Sequence, residues 1–215
     1  MKQAAPPDKG WRGSRQGWLD AAYEALIEGG IDAVKIQPLA RRLGLSRTSF
    51  YWFFGDREAL MSALIAEWEA RTTAPLVGAS TEYAETQSEA MLNVLACFLT
   101  GMFDAPLEFA VRSWALQEAD IGARTQAADT DRLAALRDLL IRWGHAEQGA
   151  DVRARTIYLT QIGYISMQAR EDLDTRLARI PTYVRIFTGQ TPTPREIARF
   201  NARVLASADG NPAPG

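Results

Sequence analysis

Apolar residues recur along this chain at intervals of three and four, the spacing that lines one face of a helix. Trp18, Leu19, Ala22, Ala25 and Leu26 begin the pattern and Gly29-Gly30 stops it, which predicts a first helix from about Ser14 to Glu28. Ile36, Leu39, Ala40 and Leu43 form a short second helix, whose first turn tolerates Pro38. Gly44 ends it, because glycine reaches the left-handed conformation that a tight C-terminal turn needs. Ser46 is then a natural N-cap for a third helix over Arg47–Phe53. After Gly55, Asp56 caps a fourth helix running to about Thr73, and Pro75 with Gly78-Ala79-Ser80-Thr81 reads as a loop.

Amphipathic helices follow near Glu82–Phe103, Pro106–Gln117, Ile121–Trp143, Asp151–Arg170 and Thr175–Phe187. Thr193-Pro194-Arg195-Glu196 is a capping box with proline at the first helical position, opening a last helix to about Ala206. The sequence has no convincing strand alternation and no internal repeat, so the expected fold class is all-α. Residues 1–13 and 208–215 have the composition of disordered ends, an N-terminal arm and a tail.

Composition narrows the class. With 47% hydrophobic and 23% charged residues, a 215-residue chain can bury a core without disulfide or metal staples. The single cysteine, Cys97, lies among Val94, Leu95, Ala96, Phe98 and Leu99 and reads as a buried structural thiol. The first residues lack the apolar run of a signal peptide, and no stretch is apolar enough for a membrane helix. A cytoplasmic protein without a membrane partner is expected. The net charge of −2 gives no global sign of nucleic-acid binding. Up to Arg57, however, Lys2, Lys9, Arg12, Arg15, Lys35, Arg41, Arg42, Arg47 and Arg57 face only Asp8, Asp20, Glu24, Glu28, Asp32 and Asp56. A basic front on an acidic remainder suggests a contact module carried on a separate body.

The stretch IQPLARRLGLSRTSFYWFF has helix-turn-helix form: a small residue at the crossing (Ala40), a glycine in the turn (Gly44), and polar Arg47-Thr48-Ser49 leading the second helix. The DNA-binding version lays that helix in the major groove. From Trp18 to Leu64 the order of features resembles the tetracycline-repressor (TetR) family of bacterial transcription regulators. The features are the first helix closing on Gly29-Gly30, then Ile36…Leu39-Ala40…Leu43-Gly44-Leu45-Ser46. Ser49-Phe50-Tyr51, the closing Phe54 and Asp56-Arg57-Glu58-Ala59-Leu60 complete the match. Two positions depart from the family habit: Phe53 stands where a histidine is common, and Arg57 where a lysine is common.

Helix geometry distributes the roles, since residues three and four apart share a face. Phe50 and Phe54 belong with Ala40, Leu43 and Leu60 in a three-helix core. Arg47 and Thr48 are expected to meet base edges, arginine being able to bind guanine bidentately. Trp52 touches a thymine methyl or packs on the sugar backbone. Ser46, Ser49, Tyr51 and Arg57 are expected to anchor phosphates, which fix register but not sequence. Arg41 and Arg42 read as a solvated helix face, and Lys9, Arg12 and Arg15 could add contacts from the arm.

The organisation that follows is a DNA-binding domain over residues 14–60 and a helical domain over 61–207. The resemblance implies that the latter binds a small-molecule effector, still unidentified, and forms a homodimer on palindromic double-stranded DNA. Its candidate ligand contacts are Phe98, Met102, Phe103, Trp114, Tyr158 and Tyr164, with Phe109 and Leu136 beside them. A mixed apolar and amide stripe, Ile157, Gln161, Tyr164, Ile165 and Gln168, is expected to form the dimer interface with Ile180, Tyr183, Val184 and Phe187. Repression is the family habit, with activation left open. No cofactor, metal site or catalytic residue is expected. His145 has no second histidine or nearby cysteine to share a metal, and no GxSxG, P-loop or GxGxxG occurs. The competing readings are a DNA-binding regulator without an effector and, further off, an all-α enzyme.

Overall fold

A computed structural model of the chain describes residues 13–210. Among the described residues the regular elements are helical and no strand occurs. They divide into two compact units, with the division between Glu67 and Trp68.

The first unit holds α1 (Arg15–Gly29), a 3-10 turn at Ile31–Ala33, α2 (Ile36–Leu43), α3 (Arg47–Phe50) and most of α4 (Arg57–Trp68). Its helix ends are written in the sequence. Ser14 caps α1 by accepting the Gly17 N–H at 3.0 Å. Gly44 sits at φ 66°, ψ 27°, and the Leu45 N–H behind it returns 2.9 Å to the Ala40 carbonyl, closing α2 in a left-handed turn. Asp56 accepts the Ala59 N–H at 2.8 Å and starts α4. Inside, Trp18, Leu26, Val34, Leu39, Phe50, Leu60 and Leu64 are buried. Phe50 stacks on Phe54 at 5.4 Å and meets the Trp18 ring edge-on at 5.3 Å. Burial of each such side chain stabilises by about 1.5–3 kcal/mol, so these rings hold the unit together.

The second unit contains α5 (Ala74–Thr81), α6 (Gln87–Leu99), α7 (Ala105–Ala115), α8 (Ala119–Arg142), α9 (Glu147–Ser166), α10 (Leu173–Thr188) and α11 (Pro194–Gly210). The long α8 packs on α9, α7 and α5, while α6 lies against α5, α10 and α11. Leu92, Leu95, Leu136, Leu139, Ile157, Val184 and Phe187 are among the core residues. The expected capping box closes: the Thr193 N–H reaches Glu196 Oε2 at 2.5 Å, and the Glu196 N–H reaches Thr193 Oγ1 at 3.3 Å. The helix it opens runs on to Gly210, past its expected end near Ala206. The remainder of the expected tail lies outside the described residues, as does the arm up to Arg12.

The loop expected at Pro75 and Gly78–Thr81 is a helix instead. After α4 the backbone widens into a π-helical segment, Glu69–Thr73, and then resumes as α5 with Pro75 in its first turn. Proline is tolerated there because a first-turn N–H has no partner within its own helix. Leu76, Ala79 and Ser80 are buried, so packing overrides the local propensity of Gly78 and Ser80. The break falls later, at residues 82–86, and α6 starts at Gln87 behind Thr86, whose hydroxyl accepts the Glu89 N–H at 3.1 Å.

Candidate nucleic-acid interface

The turn between α2 and α3 delivers the second helix of the motif. Ser46 is extended at φ −78°, ψ 150°, and its Oγ accepts the Ser49 N–H at 3.3 Å. Regular α-helix lasts only from Arg47 to Phe50. Beyond that the coil tightens, with the Tyr51, Trp52 and Phe53 N–H groups reaching back three residues to Thr48, Ser49 and Phe50. Such tightening satisfies the carbonyls at a helix end. It carries the winding on through Phe53, the expected limit, in a narrower form.

The aromatic run then separates by direction. Phe50 and Phe54 are buried, and Phe53 is half-buried. Tyr51 and Trp52 are exposed, Trp52 at 62% of its surface, an unusual cost for an indole in water. Arg47 and Thr48 are exposed on the same short element. An Arg47 Nη2 donates to the Tyr51 hydroxyl at 3.2 Å, so the guanidinium is steadied along the exposed face. Tyr51 is in turn braced by an edge-on contact with the Phe50 ring at 5.3 Å. The arrangement offers a guanidinium, hydroxyls and an indole from one side of α3. Ser46 is exposed at its leading end with a hydroxyl proton still to give.

Two of the expected phosphate contacts are buried or partnered within their own unit. Ser49 is only 4% exposed, and its Oγ has no hydrogen-bond partner within the chain. A residue that small lets α3 approach its neighbours closely, and its hydroxyl faces the interior. Arg57 is half-buried: its Nε donates to the Val34 carbonyl at 3.0 Å and Nη2 lies 3.5 Å from that of Ile31. It ties the start of α4 to the 3-10 turn, satisfying carbonyls at the end of that turn. Nothing in the spacing of the sequence marks a partner more than twenty residues away.

The other basic residues sort in the same manner. Arg42 pairs with Glu28 at 2.5 Å and Glu24 at 3.3 Å, and its hydrogen bond holds the Glu28 carboxyl below the usual range. Arg15 lies over the Phe54 ring, 4.9 Å from its centroid. Lys35 and Arg41 are exposed. Lys9 and Arg12 of the expected arm lie outside the described residues.

Residues 19–64, which hold this whole motif, match the family model described as bacterial regulatory proteins, tetR family. The helix-turn-helix segment is of the TetR type. The chain is 40% identical over 58 residues to the tetracycline repressor protein class D of Escherichia coli, covering 27% of each chain. It is 30% identical over 100 residues to the uncharacterized HTH-type transcriptional regulator YdeS of Bacillus subtilis (strain 168), covering 46% of this chain and 47% of that one. The chain thus matches about a quarter to a half of the length of these curated relatives. The TetR-family transcriptional regulator PfmR from Thermus thermophilus shares the fold, with a TM-score of 0.57 at 20% identity over 82% of this chain and 99% of that one.

In the second unit the six expected ligand contacts are not brought together. Phe103 and Phe98 touch, with ring centroids 4.7 Å apart, and Phe103, Trp114 and Tyr158 are buried. Met102 is exposed, with the Arg203 guanidinium 3.9 Å from its sulfur. The Tyr158 hydroxyl is already engaged: it donates to Asp129 at 2.5 Å and accepts from Arg132 at 2.8 Å and Arg112 at 2.9 Å. Burial pushes its acidity far down despite those arginines. Around it, fully buried Arg132 and Glu108 form a salt bridge at 2.8 Å. Arg132 also reaches the Thr72 and Thr73 hydroxyls of the π segment at 2.7 and 3.0 Å. Trp68 Nε1 donates to Glu108 at 2.6 Å, and Arg112 bridges Glu108 to Asp129. These are self-satisfied ionic groups where a ligand cavity was expected. Tyr164 stands apart, beside a small cavity lined also by Leu95, Leu99 and Gln161.

The expected dimer stripe is largely buried within its own chain. Ile157, Gln161, Ile180, Val184 and Phe187 are buried within their own chain, while Tyr164, Ile165 and Tyr183 are half-buried. Only Gln168 of the stripe is exposed, just past the end of α9 with φ 49°. The reason is that α9 and α10 carry apolar residues on two faces, and the one chosen is the face turned to the core. The opposite side exposes Val152, Leu159 and Met167 along α9 and its end, and Ile186 on α10.

Elsewhere, Cys97 is buried and its thiol is pushed up to about 12 by that burial, which leaves it unreactive. His145 meets the Gln87 amide, and burial, then Arg153, lowers its pKa. No grouping able to hold a metal ion occurs, and no helix is long and apolar enough to cross a membrane, among the described residues.

Proposed function

We propose that this chain is a cytoplasmic, homodimeric transcription regulator that represses by occupying a palindromic operator and is released by a small-molecule effector. The observation that carries the reading is the outward face of α3, where Arg47, Thr48, Tyr51 and Trp52 stand exposed on a helix whose other face is sealed into a core. Arg47 and Thr48 read base edges, Trp52 supplies apolar contact, and Ser46 and Tyr51 hold phosphates. The name of the tetracycline repressor relative supports repression.

Dimerisation follows from the outer face of α9 and α10. Val152, Leu159 and Met167 recur seven and eight residues apart, so they line one side of α9, and Ile186 extends the patch on α10. A second copy covers such a stripe best, because a two-fold interface meets itself. Two copies place their recognition helices on half-sites one turn apart, about 34 Å, or a multiple of it. The filled, ion-paired interior near Tyr158 favours a variant of the reading in which no drug-sized effector enters that part of the unit.

Selection of bound sites from random double-stranded DNA tests the proposal. The wild-type chain should enrich an inverted repeat, and the Arg47→Ala, Trp52→Ala double variant should lose that preference while keeping its helical content. Enrichment of the same repeat by the double variant would remove α3 from the recognition role. No enrichment by the wild type would remove the function.

A further inference from the structure

The chain enters the first unit at Gly13, which sits at φ 72°, in the left-handed region. A Cβ built there would lie 2.6 Å from Leu45 Cδ1, closer than carbon atoms approach, so glycine is what lets the backbone press on that side chain. Leu45 belongs to the turn between α2 and α3, and Ser46 next to it caps α3. The point of entry is therefore fixed against the leading end of the helix that exposes Arg47, Thr48 and Trp52. A buried donor waits at the same place. Trp18 is fully buried, its Nε1 makes no hydrogen bond, and that nitrogen lies 3.8 Å from the same Cβ position. A buried N–H without an acceptor is costly, so a carbonyl supplied by the entering chain stabilises it.

Residues 1–12 lie outside the described residues, and their sequence, MKQAAPPDKGWR, carries Lys2, Lys9 and Arg12 against Asp8 alone. Arg12 is one residue from Gly13 and Lys9 is four, so an extended chain carries their backbones at most about 3.5 and 14 Å from that anchor. A helix in the major groove lies in a channel about 12 Å wide. A chain leaving its leading end crosses one sugar-phosphate strand and meets the minor groove beyond, which is about 6 Å wide. There A·T pairs offer only acceptors, and the narrow groove of A·T-rich DNA concentrates negative potential that draws in arginine and lysine. The guanine amino group, a donor in the same groove, opposes a cation.

We propose that residues 1–12 are a second DNA-reading element, with Arg12 and Lys9 entering the minor groove beside each half-site and favouring A·T pairs there. Gly13 is its positioning residue, because its seat on Leu45 fixes where the element starts relative to α3. The inference rests on the operator-binding function proposed above.

Site selection and salt titration of the full-length protein test it. The wild type should enrich A·T pairs beside each half of the inverted repeat. The Lys9→Ala, Arg12→Ala double variant should still enrich the repeat, lose the flanking preference, and bind an A·T-flanked site at least tenfold more weakly. With Lys35, Arg41 and Arg47 also engaged, the logarithmic salt slope should be about −9 for the wild type and about −5 for the double variant. Inosine·cytosine flanks, whose minor groove lacks the guanine amino group, should bind the wild type as A·T flanks do, and guanine·cytosine flanks less tightly. Gly13→Val should blunt the flanking preference while the repeat is kept. An enriched repeat with indifferent flanks and the same slope in both proteins overturns the inference and leaves the operator-binding function standing. A smaller slope in the double variant, with flanks that the wild type does not distinguish, gives the cations to phosphates and overturns the minor-groove assignment. A wild type that enriches no repeat overturns the proposed function and this inference with it.

Discussion

Replacing Arg132 by methionine removes the centre of the ionic cluster in the second unit. The guanidinium makes five hydrogen bonds, to Thr72, Thr73, Tyr158 and both oxygens of Glu108, and neither it nor Glu108 touches water. Removing one member of such a pair leaves a buried charge uncompensated, which destabilises by about 3–5 kcal/mol. That lowers the ratio of folded to unfolded chains by roughly a hundredfold to several thousandfold. For a chain of this size it lowers the melting temperature by about 6–20 °C. Arg112 remains beside Glu108 at 2.7 Å and softens the loss, so the lower half of these ranges is expected. The Arg132→Met, Glu108→Leu double variant should cost less than the sum of its parts, because it removes both charges while Arg112 keeps Asp129. Urea unfolding followed by circular dichroism and tryptophan fluorescence reads the three variants. A single substitution costing under about 1 kcal/mol, or strict additivity in the pair, would refute the view that burial makes these two charges depend on each other.

Arg57→Ala should lower the unfolding temperature of the first unit, since bonds from a charged group are worth about 1.5–3 kcal/mol. Its affinity for DNA at temperatures where it is folded should stay near wild type. Weakened binding to every sequence with unchanged stability would instead give Arg57 to the phosphates. Leu159→Arg and Ile186→Arg should each yield monomers by light scattering while helical content is retained. Dimers in both variants would move the interface away from the outer faces of α9 and α10.

What the sequence makes readable is local. Ser46, Gly44, Asp56 and the Thr193–Glu196 box each act on backbone groups within a few residues, so spacing alone locates their helix ends. The inward turn of Phe50 and Phe54 and the outward turn of Trp52 follow from the same short-range geometry. Residues 74–81 read as loop because proline and glycine are strong local punctuation, yet burial of Leu76, Ala79 and Ser80 decides for helix. Arg57 was unreadable because its partners, Val34 and Ile31, are distant in the chain. The two faces of α9 are both apolar, so periodicity identifies the helix without saying which face meets the core. Tyr158 is legible as an inward-facing residue, whereas Gln161 reads as part of a dimer stripe and is buried; whether a polar atom is already partnered depends on side chains from several helices.

The fate of the arginines in the first unit has a consequence for ion release. Arg15 rests on a ring, Arg42 on two glutamates and Arg57 on carbonyls, which leaves Lys35, Arg41 and Arg47 as the described basic residues there that are exposed and not held by a ring, a carboxylate or a carbonyl. Each phosphate neutralised frees about 0.9 counterion. Two copies using all three cations would therefore show a logarithmic dependence of affinity on salt with a slope of about −5. A grip of that kind weakens about a thousandfold between 50 and 200 mM salt. Under the proposed function, phosphate charge sets this salt dependence, and sequence discrimination is assigned to the fit of Arg47 and Trp52 to base edges.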